Sequence, residues 1–198
     1  MARGRAEDTG AVPARTEDVS TNGVVFWPVA VGVVLADLAT KALAEAALGP
    51  AGWPQRLVGD VVRLTLVYNP GAAFGLHLGP YSRGIFLTLT AVVLRALWAL
   101  YKRTRDRDNP RTFALALLCA GAVGNATDRV RSAQGVVDFV DVGVGAHRWP
   151  TFNLADVAVT AGALLLFAVL WREEQADEGA THAAPPQSGA SSGAAEAA

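Results

Sequence analysis

Long apolar stretches, broken by short polar clusters, run along most of this chain. Four of them can form helices long enough for a bilayer core, which needs about 20 residues. They extend from Val24 to about Ala47, from Gly84 to Tyr101, from Thr112 to Val130 and from Asn153 to Arg172. Two segments between them have a different period. Residues 61–68 (VVRLTLVY) and 135–142 (GVVDFVDV) are β-branched and roughly alternating, as strands should be. Open sheet edges cannot face lipid, so a sheet made from them must lie at or above the interface or pack on the bundle. The pattern therefore predicts an all-α membrane protein: four transmembrane helices with a small extracytoplasmic β-sheet.

The flanks differ. Residues 1–23 are polar and lack an apolar period, and residues 173–198 lack large apolar side chains and carry Pro-Pro, Ser and Gly. Both read as disordered cytoplasmic tails around a four-span domain at 24–172. Ala44-Glu45-Ala46 resembles a signal-peptidase cleavage site, but the apolar run before it is too long for a signal peptide. Asp37 and Lys41 also interrupt that run, so an uncleaved anchor is expected.

Charge then sets the orientation. Lys102, Arg103, Arg105, Arg107 and Arg111 crowd the connection between the second and third spans. Short loops rich in Lys and Arg stay in the cytoplasm. Both termini follow them there, and segments 48–83 and 131–152 face outward. With 52% hydrophobic and 18% charged residues, a net charge of −1 and no basic domain, nothing suggests a nucleic-acid partner. The single cysteine, Cys119, can form no internal disulfide. It reads as a small buried apolar residue, and a zinc site is not expected.

Ionisable residues inside a bilayer are rare enough to raise a functional question wherever they occur. Asp37 and Lys41 lie four apart with the acid first, the favourable order for an ion pair on a helix. They can neutralise each other and fix packing, or Lys41 can steady a reactive region or a lipid headgroup. Glu45, a turn further out, reads as solvated. Arg95 can snorkel toward the basic cluster. Asn125 and Asp128 share a helix face, while Asp128 and Arg129 point about 100° apart and should reach different neighbours. These three can be scaffold or chemistry. Asp138 lies in an apolar strand, which favours its neutral form. Asp156 falls in the first turn of the last helix if Asn153 caps it, and a helix N-terminus favours a charged carboxylate. Two acids with opposed tendencies suit acid–base chemistry, although both could be structural. Asp141 should point to the strand face opposite Asp138, so only one of them can meet Asp156.

Other chemistries find little support. There is no HExxH, GxSxG or GxxxxGK[ST] motif, and His77, His147 and His182 are scattered. A Ser–Lys pair between Lys41 and Ser82 or Ser132 is conceivable, but no spacing favours it. A proton-coupled transporter relaying through Asp37, Asp128 and Asp156 would need acids spread through the membrane depth. A non-catalytic scaffold that binds lipid or protein through the outer sheet is a third reading.

Five motifs occur in order: DLATK at 37–41, NPGAAFG at 69–75, GNATDR at 124–129, GVVDF at 135–139 and FNLAD at 152–156. Together they resemble the lipoprotein signal peptidases (signal peptidase II) over about residues 24–172. The resemblance implies an aspartyl endopeptidase of the bacterial plasma membrane, with its active site at the outer face. Its implied substrates are diacylglyceryl-modified prolipoproteins, cut just before the lipidated cysteine. It implies no metal or organic cofactor. Matched motif by motif, Asp138 and Asp156 are the implied catalytic pair. Asn69, Asn125, Asp128, Arg129 and Asn153 are the implied supporting residues, and Asp37 and Lys41 the implied polar pair of the first span. Membrane lipid is the other expected partner, and the expected state is a monomer. The small Gly71-Ala72-Ala73 run could admit an extended substrate or simply make a turn.

Overall fold

A computed structural model of the chain describes residues 21–71 and 78–183. Four long helices carry the fold: α1 (Gly23–Ala47), α2 (Ser82–Arg103), α3 (Asn109–Arg131) and α4 (Leu154–Ala183). Four strands form one antiparallel sheet in the order β1 (Gln55–Val58), β2 (Val62–Asn69), β3 (Val136–Val144) and β4 (His147–Arg148). The two strands read from alternation are β2 and β3. β1 and β4 were not anticipated: β1 is four residues long with every residue exposed, so it carries no burial period to read.

α3 is the centre of the bundle and packs against α1, α2 and α4. Its sequence explains this. Ala114, Leu115 and Ala116 are fully buried, and small residues continue along the same helix at Ala120, Gly121 and Gly124. Small side chains let helix backbones approach closely. A Cβ on Gly121 would collide with the Ala155 carbonyl oxygen, and one on Gly124 would lie 2.5 Å from Asp37 Oδ2. Asp108 caps α3 by accepting from Arg111 N–H at 3.2 Å, with Pro110 in the first turn.

The burial pattern is inverted relative to a water-soluble domain. Leu35, Leu164 and Phe167 are each more than 60% exposed, while Asp37 and Asn153 are fully buried. Such an apolar exterior is what lipid requires. Three segments, Gly23–Ala47, Gly79–Arg103 and Leu154–Ala176, are long and apolar enough to cross a membrane. The expected third span, α3, is as long but more polar, because it carries much of the polar interior.

Both expected tails end later or begin earlier than the structured chain. α4 continues past Arg172 to Ala183, since Glu173, Glu174, Gln175 and Ala176 are good helix formers and Glu173 pairs with Arg111 at the start of α3. At the other end, Asn22 is 2% exposed. Its Nδ2 donates to the Arg105 carbonyl at 2.9 Å, and its Oδ1 accepts from Arg107 N–H at 3.0 Å. The start of α1 is thereby tied to the α2–α3 loop.

Candidate active site

The sheet and the helices meet where α1 ends, α3 ends and α4 begins. Three local devices bring the key carboxyls together. First, Val67 of β2 pairs with Asp138 of β3 beside a register shift between Leu64 and Val67; such irregularities re-aim side chains. Second, Phe152 is clipped to β3 by Phe152 N–H to the Val140 carbonyl at 3.0 Å and Val140 N–H to the Phe152 carbonyl at 2.8 Å. That sets Asn153 beside Asp138. Third, Asn153 and Asp156 cap α4 reciprocally. Asn153 Oδ1 accepts from Asp156 N–H at 2.9 Å, and Asp156 Oδ2 accepts from Asn153 N–H at 3.1 Å.

Asp138 and Asp156 consequently line one cleft of about 560 Å³, together with Asn69, Asn125, Arg129 and Trp149. Val159 and Thr160 of α4 extend it a turn further down the apolar helix. Asp138 Oδ1 accepts from Asn153 Nδ2 at 2.7 Å and Oδ2 from Asn69 Nδ2 at 3.2 Å. Asp156 Oδ1 accepts from Asn125 Nδ2 at 2.8 Å. Burial, reinforced by the charge of Asp156, pushes the Asp138 carboxyl up to about 7, and the Asn69 and Asn153 amides only partly offset this.

The orientation of each asparagine amide is fixed by the donor its oxygen accepts from. Asn69 Oδ1 accepts from Gly71 N–H at 3.0 Å, and Asn153 Oδ1 from Asp156 N–H. Asn125 Oδ1 accepts from Lys41 Nζ at 3.2 Å and from Asn153 Nδ2 at 3.0 Å. With every amide oxygen occupied, every amide NH2 faces an acid.

Behind this layer lies a buried ion cluster. Lys41 Nζ is 2.8 Å from both Asp37 Oδ2 and Asp128 Oδ2. Asp37 Oδ1 accepts from Ala155 N–H at 2.9 Å, bracing the start of α4. Asp128 Oδ2 accepts from Val137 N–H at 3.2 Å, bracing β3 next to Asp138. Arg129 donates to the Asn125 and Gly71 carbonyls and lies 5.5 Å from the Phe86 ring centre. Asp128 and Arg129 thus serve different neighbours, as their helical angle predicts.

All the sequence-derived candidates converge here: Asp37, Lys41, Asn69, Asn125, Asp128, Arg129, Asp138, Asn153 and Asp156. Asp141 points away, accepting from Thr65 Oγ1 and Arg148 Nε. The serine alternative loses its geometry. Ser82 Oγ accepts from Leu78 N–H, Ser132 Oγ accepts from Gln134 N–H, and Lys41 spends its donors elsewhere. Ala72, Ala73 and His77 lie outside the described residues. Among the described residues no group of three or more His, Cys, Asp or Glu is placed to hold a metal ion. Sequence reasoning missed Trp149 and Thr160 as cleft residues; their nearness to FNLAD was the only available signal.

Known proteins agree with this architecture. A family model described as signal peptidase (SPase) II matches residues 29–172. The chain is 42% identical over 134 residues to the lipoprotein signal peptidase of Desulforapulum autotrophicum, covering 66% of this chain and 81% of that one. It is 39% identical over 172 residues to that of Rhodococcus jostii, covering 83% and 82%. A bacterial membrane enzyme solved by the in meso method at 2.3 Å resolution superposes with a TM-score of 0.68 at 30% identity, over 79% of this chain and 91% of that one. A second, solved at 1.9 Å, gives a TM-score of 0.64 at 31% identity, over 77% and 94%. This protein is a membrane protein and belongs to the signal peptidase II family of peptidases.

Proposed function

We propose that this protein removes the signal peptide from diacylglyceryl-modified prolipoproteins, cutting before the lipidated cysteine, with Asp138 and Asp156 as the catalytic pair. The observation that carries the reading is that these two acids, alone among the described carboxylates, line the cleft, joined through Asn153 and Asn125, in a chain of this family. A water between them supplies the nucleophile. Asp138, whose carboxyl titrates near 7, holds the proton the pair shares. Asp156 takes a proton from the water as it attacks the scissile carbonyl. Asp138 then donates to the developing oxyanion and on to the leaving amine. No metal or cofactor is called for.

The topology suits such a substrate. All four helices cross the bilayer, α3 inside the other three. The basic 102–111 loop and both termini lie in the cytoplasm, and the sheet lies outside. The cleft then sits at the outer interface of the bacterial plasma membrane, level with the outer end of a signal helix. Acyl chains on the cysteine can stay among lipid. The enzyme acts as a monomer. The transporter reading gains nothing, because Asp37, Asp128 and Asp156 meet at one end of the bundle instead of spreading through its depth.

The test is cleavage of a diacylglyceryl-modified prolipoprotein by purified protein, beside the unlipidated precursor and the Asp138→Asn and Asp156→Asn variants. Cleavage of the lipidated form alone, lost in both variants, is expected. An inert wild type, or full activity in either variant, sinks the reading.

A further inference from the structure

Lys41 touches neither carboxyl of the pair, yet one of its contacts leads to Asp156 through Asn125. Its ammonium lies 2.8 Å from Asp37 Oδ2 and from Asp128 Oδ2 and donates to Asn125 Oδ1 at 3.2 Å. The first two balance its charge. The third fixes an amide whose other end donates to Asp156 Oδ1 at 2.8 Å. We propose that Lys41 is a positioning residue for the reaction: by holding Asn125 Oδ1 it locks the amide so that Nδ2 faces Asp156 and keeps that acid the hydrogen-bond acceptor the water attack requires. This inference rests on the catalytic reading above.

The argument turns on what a flipped Asn125 would meet. Its NH2 would face the donors of Lys41 and Asn153, and its oxygen would face Asp156 Oδ1. Two acceptors face each other comfortably only if the acid carries a proton, so flipping the amide and protonating Asp156 favour one another. Asn153 alone cannot prevent the flip. Its Nδ2 has two hydrogens and can satisfy both on Asp138 Oδ1 at 2.7 Å and the Val137 carbonyl at 3.3 Å. The one hydrogen bond Lys41 donates goes to Asn125 Oδ1, and its other polar neighbours are the carboxylates of Asp37 and Asp128 that balance its charge. The charged groups around this relay are Asp37 from α1, Asp128 and Arg129 from α3, Asp138 from β3 and Asp156 from α4.

The experiment compares pH profiles of kcat/KM for lipidated prolipoprotein cleavage. The test variant is K41M/D128N, which keeps the net charge of the cluster. The amide it introduces at position 128 can still accept from Val137 N–H. We expect the acid limb, where Asp156 must be ionised, to move up by about one pH unit, so that cleavage below the limb falls about tenfold. D128N alone, which retains Lys41, should not move the limb upward. A purely electrostatic role leaves the limb of K41M/D128N in place because charge is conserved. A purely structural role lowers the plateau or the Tm with the limb unmoved. Either result overturns the inference while leaving the catalytic reading intact; an inert wild type removes both. If K41M/D128N does not fold, Asn125→Leu takes its place. It removes the donor to Asp156 and, with it, the Lys41–Asn125 contact, while leaving the Lys41 ion pairs to Asp37 and Asp128, and an unmoved acid limb there overturns the proposal.

Discussion

The two ends of the helical bundle are built on opposite principles. At the loop end, where α1 starts and α2 finishes, Phe26, Trp98 and Tyr101 pack ring against ring, with Phe26 and Tyr101 centroids 4.3 Å apart. At the sheet end, Asp37, Lys41, Asp128, Asp138 and Asn153 are buried together. Aromatic packing stabilises by burial and adds about 0.5–1.5 kcal/mol per well-placed pair. Buried charges carry a desolvation penalty that their pairing at best offsets. A chain seeking only stability would build both ends like the first. The sheet end is therefore where stability gives way to chemistry.

The largest effect should separate the ends outright. Asp138→Asn or Asp156→Asn is expected to lower kcat by at least about 10²–10⁴-fold, with the fold retained by thermal melting. Phe26→Leu at the aromatic end should leave cleavage rates unchanged. Comparable loss of kcat from both ends, in well-folded variants, would erase the distinction.

A second effect concerns stability. Lys41→Met strands Asp37 and Asp128 without their counter-charge, and breaking a buried pair costs about 3–5 kcal/mol. Phe26→Leu, which shrinks one side chain in an apolar cluster and removes its ring contacts, should cost about 1–3 kcal/mol. Thermal unfolding in one detergent measures both. A milder loss for Lys41→Met than for Phe26→Leu would mean water reaches the ion cluster.

How far these two ends could be read in advance follows the same division. The helices and the strands β2 and β3 were visible because period and length report burial directly. The acids at the sheet end were conspicuous because charge in an apolar run is rare. Their connections were hidden. Lys41 meets Asn125 across 84 positions, and Asn69 meets Asp138 across 69. No local pattern encodes such a meeting; Asn69 entered only through the family motif. Asn153 was readable as a helix cap but not as the amide joining both acids, because that depends on Phe152 pairing with Val140. The apolar end misled differently. Asn22 sits at the edge of a polar tail, and nothing in its neighbours marks it as buried.

The cost of the sheet end should also depend on pH. The Asp138 carboxyl is raised to about 7 in the fold against 3.8 in an open chain. Between those values the folded state holds a proton the unfolded state has lost, so stability falls as pH rises and levels off above about 7. Asp138→Asn removes this dependence. It should match the wild type near pH 4 and exceed it at about pH 8, by on the order of 2 kcal/mol after allowing for solvent reaching the cleft. A Tm gain that does not grow between those two pH values would argue that Asp138 is not the strained member of the pair.

The smallest effect belongs to the loop end, and it tests whether that end is purely structural. The Asn22 side chain makes three bonds to the α2–α3 loop: it donates to the Arg105 carbonyl at 2.9 Å and, longer, to the Thr104 carbonyl at 3.5 Å, and accepts from Arg107 N–H at 3.0 Å. Arg107 needs that support, since it holds a left-handed conformation at φ 64°, which is unusual for a side chain other than glycine. Asn22→Ala takes the Asn22 partner from one loop N–H and two loop carbonyls, a loss of about 1–2 kcal/mol where water cannot replace it. The loop lies at the bundle end, where water can enter, so the lower figure is expected. Amide hydrogen exchange should quicken at Arg107 and through the first turn of α1. Cleavage kinetics and their pH profile should stay at wild-type values, because no hydrogen bond from Asn22 reaches the cleft. If kcat fell with Tm nearly constant, the two ends would be coupled through α1, and the division of the bundle into a stabilising end and a reactive end would have to be withdrawn.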